Sequence, residues 1–173
     1  EIRLSLVGSE MCIRDSTNDI ITNRIITVTK SGNNISDYND LSGKKLAVVT
    51  DIAKAALDKN ATIKNNNKNT LYPTIEDALS ALDNGSVDAV ITDEFNFSPL
   101  ENAEKYQVLN GELDKISYAF MFKKGDWVVE NWNEAIYELK SPDYNDKDEF
   151  TPMVEKYFGY NASSFDYVPS KTK

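Results

Sequence analysis

Residues Gly85–Phe95 read "GSVDAVITDEF". Val87, Ala89, Val90 and Ile91 form a short apolar run behind a glycine turn, the pattern of a buried strand. The run stops on Asp93 and Glu94, where a strand of that length leaves its sheet. In open α/β sheets this carboxyl edge is where ligands bind. Carboxylates are also common there as loop acids and helix N-caps. From this stretch alone Asp93 reads as either.

The segments around it alternate. "RIITVTK" (Arg24–Lys30) and "KKLAVVT" (Lys44–Thr50) read as strands. Asp51 reads as the N-cap of a short helix "IAKAALDKN", and "ATIKNNNKN" as a solvated loop ahead of a short strand at Leu71–Tyr72. Thr74 caps "IEDALSALDNG", in which Ile75, Ala78, Leu79 and Leu82 share one helical face and Gly85 stands just past the end. "FSPLENAEKY" reads as a helix capped by Ser98 with Pro99 in its first turn, followed by a strand at "QVLNG". Strand and helix in alternation imply an α/β fold with a mostly parallel sheet. Then "ISYAFMFKKGD" (Ile116–Asp126) reads as one long strand. Two helices follow: Trp127–Lys140, burying Trp127 or Val128, Trp132, Ala135, Ile136 and Leu139, and Asp148–Phe158, stopped by Gly159. The tail after it is polar.

Composition narrows the chemistry. The chain has 173 residues, 40% hydrophobic, enough to bury a core. A net charge of −9 argues against nucleic acid and anionic membranes as partners. It contains no histidine and a single cysteine, Cys12, which removes the usual general base, an internal disulfide, and most metal sites. No metal or cofactor is expected. No apolar run approaches the ~18 residues of a membrane span.

Residues 1–16, "EIRLSLVGSEMCIRDS", carry no helical period and no strand alternation. They fit neither a signal peptide nor, at Ser9–Cys12, a lipoprotein cleavage site. The string resembles a translated adapter sequence and is set aside as a non-native tail; a genuine N-terminal extension is the other reading.

Four pieces in order carry a family resemblance. "DLSGKKLAVV", "YPTIEDALSALDNGSVDAVITD", "YAFMFKKGD" and "VEKYFG" resemble successive segments of the extracellular solute-binding proteins of polar amino-acid ABC importers, over about residues 17–160. The resemblance implies a type II periplasmic-binding-protein fold, in which two α/β lobes joined by two crossing strands clamp a ligand. It implies an N-terminally truncated chain: residues 17–32 hold the first crossing strand and a remnant of the first lobe, residues 33–115 a complete second lobe, and residues 116–173 the return strand, C-terminal helices of the incomplete first lobe and a polar tail. It implies a small solute such as an amino acid as ligand and an ABC permease as membrane partner. The expected location is periplasmic or extracellular, with possible anchoring through a missing N-terminus, and the full-length protein is expected to be a monomer without enzymatic activity. An extracellular sensor domain and a cyclohexadienyl dehydratase-like enzyme share the fold and stand as alternatives.

The resemblance also places the site. The acid ending the Val-Asp-Ala-Val strand, here Asp93, matches the family's contact to a ligand α-ammonium, with Thr92 and Glu94 beside it and Phe95 and Phe97 as an apolar wall or core. Thr50, Asp51, Ile52 and Ala53 match the helix start whose amides receive the ligand carboxylate. The family's Gly-Ser/Thr-Thr there is absent, and an Asp51 cap would repel a carboxylate. Asp88 has no ligand role and faces solvent or pairs with a lysine. Arg24 matches the start of a crossing strand, not the family's carboxylate-binding arginine.

Overall fold

The computed structural model describes residues 14–141 and 150–158; Cys12 and Gly159 lie outside them. The chain divides into two compact units, one of Asn23–Ile116 and one built from the segments before and after it.

In the Asn23–Ile116 unit, a six-stranded sheet is formed by β2 (Ile21–Lys30), β3 (Lys45–Val48), β4 (Lys68–Leu71), β5 (Ala89–Asp93), β6 (Tyr106–Val108) and β7 (Asp114–Tyr118), in the order β4-β3-β5-β2-β6 with β7 also on β2. β4, β3 and β5 are parallel, with Leu46 opposite Ala89 and Val48 opposite Ile91. β2 enters antiparallel between β5 and β6, pairing Ile25 with Asp93 and Val28 with Val108. The sheet is thus mostly parallel in direction, with one reversed strand that strand-helix alternation does not reveal.

Side chains alternate across such a sheet, and both faces are apolar. Ile25, Leu46, Val48, Ala89 and Ile91 pack under α1 (Asp51–Lys59) and α2 (Ala61–Asn66), which contribute Ala53, Ala56, Leu57 and Ile63. Ile26, Val28, Ala47 and Val90 pack under α3 (Ile75–Asp83). Thr74 caps α3 by accepting the Asp77 amide at 3.1 Å. Gly85 follows its end at φ +76°, a left-handed conformation that glycine adopts without steric cost.

Several expectations change. The Asn/Lys stretch is not a loop. Asn60 caps α2 by accepting the Ile63 amide at 3.2 Å, one buried isoleucine anchors it, and β4 follows as an exposed edge strand held by its ladder with β3. An edge strand made by backbone pairing leaves no apolar pattern to read. The helix expected from Ser98 starts earlier: α4 is Glu94–Phe97, capped by Asp93, and Ser98 is its C-cap. A carboxylate cap on the strand end starts the helix before the serine is reached.

The other unit holds β1 (Arg14–Ser16), paired antiparallel with β8 (Met121–Lys123), and the helices α5 (Val128–Lys140) and α6 (Phe150–Phe158). β1 includes residues 14–16 of the segment set aside above. The single strand expected over Ile116–Asp126 is two, β7 and β8, parted at Ala119–Phe120, where Phe120 exchanges bonds with Thr17 (2.9 and 3.0 Å). Trp127 and Trp132 are not core: they are 74% and 41% exposed. Trp127 is the N-cap residue, outside the helix, whereas Trp132 lies about 40° from Ile136 on the same side and is partly covered by the Phe120 ring at 4.7 Å. Lys140 is buried, donates to the Asp19 carbonyl at 2.8 Å and lies 5.0 Å over the Phe150 ring. Burial pulls its ammonium below the ordinary lysine value, partly opposed by Asp19.

Candidate functional site

The parallel register of β3 and β5 sets the site. Val48 lies opposite Ile91, and the Val49 amide donates to the Ile91 carbonyl at 3.1 Å. Thr50 and Asp93 therefore leave the sheet at the same level. Each begins a helix, so the N-termini of α1 and α4 stand side by side at the carboxyl edge of the parallel strands.

At α1 the cap is Thr50, not Asp51. Its hydroxyl oxygen accepts the Ala53 amide at 3.1 Å, and its carbonyl accepts from Lys54 at 2.9 Å. Asp51 is the first helical residue and its side chain is exposed. Threonine wins because the extended backbone of a cap (φ −111°, ψ 158°) sits one residue earlier than the acid. The Ala53 amide is thus taken, and the amides of Asp51 and Ile52 are the donors that a helix start leaves outside its own ladder.

Asp93 is 3% exposed and held by three hydrogen bonds. Oδ1 accepts from Asn23 Nδ2 at 3.1 Å and from the Asn96 amide at 3.2 Å; Oδ2 accepts from Asn96 Nδ2 at 2.7 Å. Asp93 lies on the face of Ala89 and Ile91, the side covered by α1. Thr92 lies on the opposite face with Val90; it is fully buried and its hydroxyl has no hydrogen-bond partner. Side-chain alternation thus separates Thr92 from the Asp93 carboxylate.

Glu94 is engaged by Arg24. Nε donates to Oε2 at 2.9 Å and Nη2 to Oε1 at 2.6 Å, a bidentate pair between a half-buried guanidinium and a carboxylate that is 6% exposed. Phe97 is buried in the core against α3, and the Phe95 amide donates to Asn23 Oδ1 at 3.3 Å. Asp88 accepts the Lys45 backbone amide at 2.8 Å.

Asn23, Asn96 and the Arg24–Glu94 pair are absent from the site as read from sequence. Asn23 carried a signal, because asparagine is disfavoured in strands and this one shares the parity of buried Ile25. Asn96 stands three residues after the cap, where an N-cap bond falls. Among the described residues no group of three or more metal-ligating side chains occurs, and no helix is long and apolar enough to cross a membrane.

No protein-family model matches the sequence, and no curated protein matches it. Solved structures do match. The L-cystine solute receptor of Neisseria gonorrhoeae in its unliganded open conformation superposes with a TM-score of 0.70 at 19% identity, over 91% of this chain and 65% of that one. A polar amino acid ABC uptake transporter substrate binding protein from Streptococcus thermophilus gives 0.69 at 22% identity, over 91% and 61%. The second substrate binding domain of an amino acid ABC transporter from Streptococcus pneumoniae gives 0.68 at 24% identity, over 90% and 70%. The chain therefore has the type II periplasmic binding fold, and it spans 61–70% of the length of these structures.

Proposed function

We propose that this chain is the solute receptor of an ABC importer, binding an amino acid or a similar small polar solute outside the cytoplasm and delivering it to a membrane permease. The observation that carries the reading is Asp93: a buried carboxylate at the carboxyl edge of parallel strands, level with the start of α1. In this reading Asp93 receives the ligand ammonium by a charge-assisted hydrogen bond, and the Asp51 and Ile52 amides receive its carboxylate. Thr50 is the cap, so the Asp51 side chain does not occupy those amides; its exposed carboxylate still stands at the helix start, where solvent screens it. The similarity to amino-acid-binding receptors supports the ligand class. The reading involves no chemistry on the solute. Glu94, the acid that a dehydratase-like alternative would use, has both oxygens engaged by Arg24.

The test is isothermal titration of the complete gene product with the L-amino acids and L-cystine. At least one saturable ligand is expected, with Asp93→Ala raising its Kd on the order of a hundredfold, the cost of a lost bond to a charged group. No binding across the panel, or an Asp93→Ala variant that binds as well as the parent, would overturn the reading.

A further inference from the structure

We propose that Asn23, in the first crossing strand, is a positioning residue that orients the Asp93 carboxylate and fixes how it presents itself to a ligand. The ligand clause rests on the receptor reading above. Asn23 is 2% exposed and lies in β2 two residues before Ile25, on the face that carries Asp93. Its amide has two unlike ends and both are used. Oδ1 accepts from the Phe95 amide at 3.3 Å, and Nδ2 donates to Asp93 Oδ1 at 3.1 Å.

The two bonds set each other's direction. Past Asp93 the chain turns into α4 and leaves the β2–β5 ladder. The Phe95 amide needs an acceptor there, so the Asn23 oxygen faces it, and the donor end then faces the carboxylate. A carboxylate oxygen accepts about two hydrogen bonds. Asn23 and the Asn96 amide fill Oδ1, whereas Oδ2 carries the single bond from Asn96 Nδ2. Asn23 thus leaves Asp93 with one acceptor direction, on Oδ2. That geometry suits the single-point donor of an ammonium, whereas a guanidinium fork needs both oxygens.

The test uses Asn23→Ala and, to keep the side-chain volume, Asn23→Leu in the complete gene product. Amide hydrogen exchange is read without ligand, and amino-acid affinity by titration. The Phe95 amide loses its bond to Asn23 in either variant, whatever the role of Asn23. The deciding signal is the Asn96 amide, which bonds to Asp93 and not to Asn23. Its exchange is expected to accelerate in both variants, and Kd for the best-binding amino acid to rise about tenfold. An Asn96 amide as protected as in the parent overturns the proposal, because Asp93 then holds its orientation without Asn23. So does an unchanged Kd in a variant whose Asn96 amide has lost protection. If the parent binds no amino acid, the receptor reading falls, and the Asn96 amide alone decides whether Asn23 orients Asp93.

Discussion

Removing the guanidinium of Arg24 while keeping its stem, as Arg24→Met, tests how much of the site's rigidity is electrostatic. The Arg24 side chain is 32% exposed and that of Glu94 8%. Two charge-assisted bonds, at 2.6 and 2.9 Å, join them. Charges about 4 Å apart at an effective dielectric of 20 attract by about 4 kcal/mol. The partial exposure of the arginine screens some of this, but a glutamate left behind at this depth keeps its desolvation cost. Stranding one member of a fully buried pair costs about 3–5 kcal/mol. Scaled for the open side of Arg24, about 2–3 kcal/mol is expected. In a unit of roughly a hundred residues that lowers Tm by about 10–20 °C. Thermal and urea unfolding followed by circular dichroism would read it. The double variant Arg24→Met, Glu94→Leu should recover at least half of the loss, because the stranded charge is gone. A single-variant loss under about 0.5 kcal/mol would refute the reasoning and class the pair with solvated surface bridges.

Two further outcomes follow from the same sheet and its turns. The Tyr38 hydroxyl is buried without a hydrogen-bond partner, so Tyr38→Phe should stabilise the chain by about 1 kcal/mol in urea unfolding. Burial, the largest cause, raises the phenol above its ordinary value, with the Glu112 charge adding to it and the Arg24 charge opposing it. The folded state therefore holds this proton more tightly than the unfolded chain, so the phenol's contribution is present below the ordinary tyrosine value and is lost as pH rises past it toward the folded value. The advantage of Tyr38→Phe should accordingly widen above about pH 10; an advantage that is constant or shrinks there would refute this. Gly85→Ala places a Cβ in open space but at φ +76°, and the left-handed backbone should cost about 1–2 kcal/mol, read as a lower urea midpoint with an unchanged slope.

What could be read from the sequence divides along physical lines. β3, β5 and α3 are built by their own apolar patterns, so "KLAV", "AVITD" and "IEDALSALD" announce themselves. α2 and β4 are built by an asparagine cap and by backbone pairing to an edge, and hydropathy does not carry either signal. The antiparallel entry of β2 depends on residues some sixty-five positions away, which no local window contains. At the site, Asp93 was legible because it interrupts an apolar run. Asn23 lies seventy residues from its partner, and only the shared sheet face brings the two together. The exchange of cap from Asp51 to Thr50 was a choice between two good capping residues one position apart, decided by backbone conformation.

The hydrogen bond from the Leu113 amide to the Ile25 carbonyl, at 2.8 Å, has a consequence for how such a chain is inherited. It ties the exit of the Asn23–Ile116 unit to its entrance, so both ends of the segment emerge at one place. A stretch of gene with that property can be lifted out, transplanted between two neighbouring residues of another host, or duplicated, without tearing the scaffold that receives it.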